Sequence, residues 1–362
     1  MDHFVGRGGW FPKGGGQVLA AGFAEVIQKH DGQIRSRVEV SRIALEGGRV
    51  AGVVLSTGET IAAPVVISNI DIKKTYRDLI GKENLPRATR LQVATWRMAP
   101  PVINAFFGID HDVSNAPNSN HFVIPNWDRA RNLHALATMK SDLLVGRRRS
   151  VHDWVSDYAA NIPAYVQTST RRDPSHGASA PQGSAAFEAQ TMAPSNPRLW
   201  GLDPEEIADG RYRRNPRYQE IKEKVTDAML ARIEVAYPGA SAKVEWAELA
   251  TPMTQSRYTD STAGNAMGLE PRIGQYGFGR PRSATVVPGL FVAGTSTAWG
   301  PGTQGAMVSG VKAAGAVLQR DLVRDIRAGR VMVDRSRLAP WNAGFDPLEA
   351  TRMVGRDRSR SR

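Results

Sequence analysis

Cysteine is absent from the 362 residues, which excludes a disulfide framework, thiolate metal sites and a cysteine nucleophile. The same absence is compatible with a reducing cytoplasm. There is no apolar run of about 18 residues, the length that spans a bilayer. Nor does an apolar secretory region open the chain, since Met1-Asp-His-Phe-Val-Gly-Arg-Gly-Gly-Trp10 reads as the interior of a longer protein. The seven histidines are scattered without H-x-x-x-H or H-E-x-x-H spacing, so no metal site is expected. Ser68, Ser296 and Ser309 lack a G-x-S-x-G elbow, which removes the motif-based case for a hydrolase. Aromatic residues are few and are not interleaved with the basic clusters Arg147-Arg-Arg149 and Arg171-Arg172 as a single-strand binder needs. No nucleic-acid partner is therefore expected.

Acidic residues are the other shortage: 35 Asp and Glu face 47 Lys and Arg, a formal charge of +12. That balance favours anionic surroundings, whether phosphate-bearing cofactors or acidic lipid head groups, and does not choose among them. From Arg320 onward eleven arginines stand against six acids, a net of +5, so much of the excess falls in a tail expected to be disordered. What remains is ample for a folded protein. The apolar fraction of 41% and the 35 glycines suit a large α/β or α+β chain that can bury a sizeable core.

The most informative stretch is Pro288-Gly-Leu-Phe-Val-Ala-Gly-Thr-Ser-Thr-Ala-Trp-Gly-Pro-Gly-Thr-Gln-Gly-Ala-Met-Val-Ser-Gly-Val-Lys-Ala-Ala-Gly-Ala-Val-Leu318. It reads as a short apolar strand, a glycine-rich loop and a helix of small residues. Gly294 ends the strand, and Gly300, Gly302 and Gly305 let backbone N–H groups approach a bound group. The helix aims its positive N-terminal end at the same place, which favours a phosphate or an electron-rich ring edge. Gly305, Ala306, Ser309, Gly310, Ala313 and Ala314 leave little bulk along it. The plain alternative is a helix packed tightly in an α/β core. Gly300, Gly302 and Gly305 also match G-x-G-x-x-G, but the dinucleotide reading fails on context. Gly300 lies six residues beyond Gly294, Pro301 stiffens the turn, and the acidic Asp334 is much too distant.

Elsewhere the pattern is more ordinary. Phe11-Pro-Lys-Gly-Gly-Gly-Gln17 precedes a helical pattern over Val18–Lys29, and its glycines are read as offering free N–H groups. Strands are predicted over Ile34–Leu45, Arg49–Ser56 and Thr60–Ser68, with turns at Gly47-Gly48 and Thr57-Gly58: a β-meander. Asn69-Ile-Asp71 opens a helical segment through Ile80. Val102–Ile109, His121–Ile124 and Val244–Leu249 are strand-like, and residues 171–183 read as a long loop. Arg217–Ala236 carries Ile221, Val225, Ala228, Met229 and Ile233 at helical spacing, a core face.

Three of these segments, Phe11-Pro-Lys-Gly-Gly-Gly, the meander from Val38 to Asp71, and Pro288 to Gly310, resemble in their order the phytoene desaturase-like branch of the FAD-dependent amine-oxidase superfamily. That branch includes carotenoid desaturases, carotene isomerases and retinol saturases. The resemblance covers most of residues 8–320 and is most specific in the closing motif. It implies an α/β (α+β) fold: an incomplete FAD/NAD(P)-binding domain with a β-meander, plus an inserted mixed substrate domain. The implied boundaries are 1–75 and 243–328 for the two parts of the FAD domain, 76–242 for the substrate domain and 329–362 for the tail.

The resemblance also implies roles. Val40 would place its backbone near the adenine of FAD, Gly294 and Thr295 would lie along the ribityl-pyrophosphate, and Gly302, Thr303, Gln304, Gly305, Ala306 and Met307 would meet the flavin ring. Backbone N–H groups at that helix start can stabilise negative charge on reduced flavin. Members often carry an acidic residue where this chain has Thr295. They also begin with a strand, G-x-G-x-x-G and a helix for the ADP half of FAD, and nothing before Phe11 supplies these. The chain is thus expected to correspond to the C-terminal part of a flavoprotein, whether from a truncated reading frame, a split gene that leaves an N-terminal partner chain, or a degenerate paralogue. The implied activity is hydride transfer between flavin and an apolar polyene or isoprenoid, with an amine oxidase or a non-catalytic fragment as the alternatives. No catalytic base can be named. A cytoplasmic protein with peripheral membrane contact is the matching expectation.

Overall fold

The computed structural model describes residues 9–131, 150–177, 179–208 and 210–337. The Arg147–Arg149 run and most of the 329–362 segment lie outside them.

The first helix, α1 (Gln17–Lys29), follows a glycine turn and buries only Ala21. The meander comes next: β1 (Val40–Glu46), β2 (Arg49–Leu55) and β3 (Thr60–Ala62), antiparallel in that order. Glu46 pairs with Arg49 across Gly47-Gly48, both at positive φ, the conformation a two-residue hairpin needs. The single strand expected over Thr60–Ser68 is in fact two. Pro64 has no N–H to extend the ladder, and the chain leaves the meander there. It resumes as β4 (Val66–Ser68), in another sheet. Asp71 then starts the expected helical segment by accepting N–H groups of Lys73 (2.9 Å) and Lys74 (3.2 Å).

The middle of the chain builds an antiparallel sheet of β5 (Val102–Ile109), β6 (His121–Val123), β7 (Ala164–Thr168), β8 (Ala185–Met192) and β9 (Val244–Ala250), in the order β6-β7-β8-β5-β9. Burial alternates along β7, β8 and β5 from Ile103 onward. On one face Ile103, Ala105, Phe107, Ile109, Val166, Phe187 and Ala189 are buried. They join one core with Trp154 and Tyr158 of α2 (Val151–Asn161) and Val225, Met229 and Ile233 of α3 (Pro216–Ala236). The apolar stripe predicted for Arg217–Ala236 is therefore the core face of α3. Arg232 is buried beside it and donates to the carbonyls of Ala159 (2.7 Å), Ala160 (3.0 Å) and Ile162 (3.2 Å) at the end of α2. The other face of the sheet is half-buried and carries Phe106, Tyr165 and Met192 beside the hydrogen-bonded pairs Gln190–Asn104 (2.5 Å) and Gln167–Glu188 (2.6 Å).

The final strand, β10 (Leu290–Val292), pairs in parallel with β4, Leu290 opposite Val66 and Val292 opposite Ser68. A second core forms around this pair from both ends of the sequence: Ile43, Val50, Ile72, Tyr76, Trp96, Leu269, Val287, Leu290 and Val292. Tyr76 meets Trp96 edge to face at 5.4 Å, and its burial pushes the phenol up to about 12. The fold is thus mixed α/β, with the antiparallel sheet inserted in sequence between two adjacent parallel strands. After β10 comes α4 (Thr303–Leu318). Among the described residues no helix is long and apolar enough to cross a membrane.

Candidate cofactor site

The site grows from the end of β10. Ala293 donates to the Ser68 carbonyl (3.0 Å), prolonging the parallel pairing by one step. The next N–H, of Gly294, goes instead to Ser309 Oγ at 2.7 Å, and that hydroxyl donates to the Ala306 carbonyl at 2.6 Å. One serine thereby fixes the strand end to the first turns of α4. The loop folds on itself: Thr297 donates to the Gly294 carbonyl through its N–H (3.2 Å) and its hydroxyl (2.9 Å), and Gly300 N–H reaches the Thr297 carbonyl (3.0 Å).

Gly302 sets the geometry of the helix start. It lies at φ +97°, a conformation L side chains avoid, and a Cβ there would meet nothing within 4 Å. It is the N-cap of α4 and offers no side chain, so no side-chain oxygen competes for the first helical N–H groups, which lack carbonyls one turn back. Gly305 is needed for a different reason. A Cβ on it would stand 2.5 Å from the Gly300 oxygen and 2.8 Å from the Trp299 oxygen, so the loop can fold back on the helix only over a glycine. Thr303, Gln304, Met307 and Gly310 are exposed on the outer side.

The predicted site residues fall into two places. Gly294, Thr295, Gly302, Thr303, Gln304, Gly305, Ala306 and Met307 belong to this one strand-loop-helix. Val40 opens β1, where it pairs with Leu55, and among the described residues no hydrogen bond ties it to the loop. The meander reaches β10 at another point, through Val50 N–H to the Pro288 carbonyl (2.9 Å).

The loop fits the ring end of FAD: uncapped N–H groups of a 16-residue helix, a positive dipole end and open space outside Gly302. In the turn before α1 the N–H groups of Gly14 and Gly15 are not free, contrary to their sequence reading. Gly14 N–H is taken by Asp173 Oδ2 at 2.6 Å and Gly15 N–H by the Pro12 carbonyl at 2.9 Å. Burial pushes the Asp173 carboxyl up, yet the Gly14 N–H and the Ser175 hydroxyl and N–H together hold it below the usual carboxylate range. An anion there would meet a carboxylate already in place.

Sequence reasoning missed two side chains. Asp173 sits in the 171–183 loop, and its neighbour Arg172 lies 5.7 Å over the Phe11 ring, so this loop holds the N-terminal glycine turn. Arg280 is 3% exposed beneath the cofactor loop and donates to the Thr295 carbonyl at 2.6 Å. Its sequence surroundings, Gly-Phe-Gly-Arg-Pro, carry no signal of that burial.

Comparison with known proteins gives the chain's relatives. The chain is 27% identical to a phytoene desaturase (neurosporene-forming) of Cereibacter sphaeroides, over 82% of this chain and 51% of the relative. It is 22% identical to the human all-trans-retinol 13,14-reductase, over 90% and 52% respectively. The chain thus spans about half the length of the curated relatives it matches. An oxidoreductase from Methanosarcina mazei has the same fold at a TM-score of 0.51 and 17% identity, over 85% of this chain and 55% of that one. Residues 2–149 and 179–318 match the flavin containing amine oxidoreductase family, and the chain belongs to that family, in its phytoene desaturase-like branch, with FAD as the family cofactor.

Proposed function

We propose that this chain forms the flavin-ring and substrate-holding part of an FAD-dependent oxidoreductase acting on an apolar polyene or related isoprenoid. The observation that carries the proposal is the uncapped start of α4 at the end of a parallel strand, with Gly302 leaving open space before it. Bound FAD would supply the acceptor for a hydride leaving an allylic carbon, with a proton lost from the neighbouring carbon as the new double bond forms. The chain's own work is to hold that group and the substrate. Thr303, Gln304 and Gly305 present N–H groups to the ring edge, Ser309 keeps the strand end against the helix, and Gly294 and Thr295 follow the ribityl chain. The half-buried face of the five-stranded sheet offers Phe106, Tyr165 and Met192 to an apolar body, with the Asn104–Gln190 pair as a fixed polar point. The names of the relatives, a phytoene desaturase and a retinol reductase, support an isoprenoid substrate.

The same reading requires a nucleotide-binding segment, on this polypeptide or on a partner. Its support is unpartnered apolar surface on the parallel half of the fold. On α1, Leu19, Phe23 and Ile27 recur every fourth residue and are 38%, 55% and 44% exposed. Val65, Ile67 and Ile70 are exposed around β4, in a parallel sheet that among the described residues has two strands. Parallel sheets are normally covered on both faces, and a strand–G-x-G-x-x-G–helix unit has the chemistry both to cover this one and to bind the ADP half. Excess basic charge suits resting on an anionic membrane while a lipid-soluble substrate enters.

The test is FAD titration of the purified chain, alone and with a separately expressed dinucleotide-binding segment from the adjacent coding DNA. Near-stoichiometric flavin absorption, with polyene-dependent bleaching in the absence of oxygen, is the expected result. A chain that stays colourless in both arms refutes the enzyme reading and leaves a non-catalytic one. Bleaching by amines and not by polyenes moves the substrate to the amine-oxidase class.

A further inference from the structure

We propose that Arg280 is a positioning residue for the cofactor. Its guanidinium clamps the turn from Thr295 to Gly300 at the mouth of α4 and leaves an uncompensated positive charge beneath it, which favours the electron-rich form of a bound flavin. The inference rests on the cofactor reading above, and it concerns a side chain outside every predicted site residue.

The geometry is specific. Arg280 follows a short turn over Gly277–Gly279 and is 3% exposed. Its Nε donates to the Gln275 carbonyl (3.1 Å), Nη1 to the Thr295 carbonyl (2.6 Å) and, at 3.5 Å, to the Thr297 carbonyl, and Nη2 to the Leu269 carbonyl. One planar group therefore ties the 269–275 segment to the cofactor loop. The 275 end is itself anchored: the Gln275 side chain accepts from Arg97 N–H (2.9 Å) and donates to the carbonyls of Arg97 (2.7 Å) and Glu270 (2.9 Å). The other end reaches the turn, since Nη1 lies 3.7 Å from where a Cβ of Gly300 would stand.

Each of these partners is a carbonyl, and among the described residues no carboxylate forms an ion pair with Arg280. Burial draws the guanidinium below its ordinary value, opposed by Tyr276. So basic a group stays protonated. A buried cation is costly unless it is well solvated by fixed dipoles, and carbonyls supply those dipoles without cancelling the charge. The positive charge lies against the turn that leads into α4, 3.7 Å from where a Gly300 Cβ would stand, and has the same sign as the N-terminal dipole of that helix. Lysine cannot replace it fully, because a point ammonium lacks the planar fork that spans carbonyls on separate segments.

The experiment compares the full chain with R280K and R280M. In the cofactor-free proteins, hydrogen exchange at amides 294–300 should speed up at least about tenfold in R280M, the loss of one charge-assisted hydrogen bond, and by less in R280K. Amides of β5 and β8 serve as the folding control. In the flavin-loaded proteins, the preference for reduced over oxidised flavin should fall about tenfold in R280M, roughly 30 mV for a two-electron couple, while R280K stays near the parent. Unchanged exchange at 294–300 in R280M overturns the clamp, and equal redox preference in all three proteins overturns the charge role. Should R280M lose protection in β5 and β8 as well, R280Q takes its place in both comparisons. If the parent chain binds no flavin in any form, the proposed function fails, while the exchange comparison still decides the clamp.

Discussion

Two identical substitutions in α4, G305A and G310A, should have opposite effects on stability. Replacing a helical glycine by alanine gains up to about 1 kcal/mol from backbone entropy and propensity. At Gly310 nothing lies within 4 Å of the added methyl, so most of that gain should appear. At Gly305 the methyl would stand 2.5 Å from the Gly300 oxygen and 2.8 Å from the Trp299 oxygen. Both are backbone atoms of the cofactor loop, so relief requires the loop to move rather than a side chain to rotate. Overpacking of this kind costs about 1–3 kcal/mol, which outweighs the propensity gain and leaves G305A destabilised by about 1 kcal/mol or more. The gap between the variants is about 2 kcal/mol. Urea unfolding followed by tryptophan fluorescence measures it; at an m value of about 3 kcal/mol/M the midpoints separate by roughly 0.7 M. In the presence of flavin the order of binding differs from the order of stability. The Gly310 methyl occupies the open face of the helix, so G310A should weaken whatever docks there even as it stabilises the free chain. Equal stabilisation by both substitutions would refute the reasoning, since it would mean that the loop does not press on Gly305.

Asp173 makes the glycine turn acid-sensitive. Its carboxyl is held below the usual carboxylate range in the folded chain, so its stabilising contribution is complete above the unfolded value near 3.9 and is lost as pH falls through the lower folded value. Exchange at Gly14 should accelerate in that acid window, whereas D173N should exchange faster at neutral pH, by a loss of about 1–2 kcal/mol, and show no acid step. An acid step retained in D173N would assign the effect to another group. In the other core, R232M should lower stability by about 2–4 kcal/mol, because the carbonyls of Ala159, Ala160 and Ile162 lose a buried charged donor at the end of α2. An unchanged melting temperature would show that water replaces the guanidinium at no cost.

Local pattern carried much of the fold. The stripe at Ile221, Val225, Ala228, Met229 and Ile233 located α3 because helical periodicity is fixed by backbone geometry alone, and Gly47-Gly48 located its hairpin because two successive positive φ angles demand such residues. The switch at Pro64 was less legible. Apolar character runs on through Ile67, so periodicity gives no reason to stop. Only the missing proline N–H ends the meander ladder and frees β4 for β10, a partner more than two hundred residues away. That pairing is what converts a meander into part of a parallel α/β layer, and no local signal announces it.

The site shows the same division more sharply, because two similar sequence signals turn out differently. Glycines precede both α1 and α4, and neither helix has a side-chain cap. From sequence the glycines at each start are read as offering N–H groups. In the structure the N–H groups of Gly14 and Gly15 are taken by Asp173 and the Pro12 carbonyl, whereas Gly302 leaves open space at the start of α4. The deciding residue lies 159 positions from the turn it fills. Arg280 acts in the same way on the other loop, through carbonyls that every residue carries and that no motif can mark. Distant polar side chains thus decide which glycine-rich turn is left to a ligand: one negative charge closes the first turn, and one positive charge sits beneath the second. The resulting polarity favours an electron-rich group at the start of α4 and disfavours an anion beside Gly14, where the Asp173 carboxylate already stands.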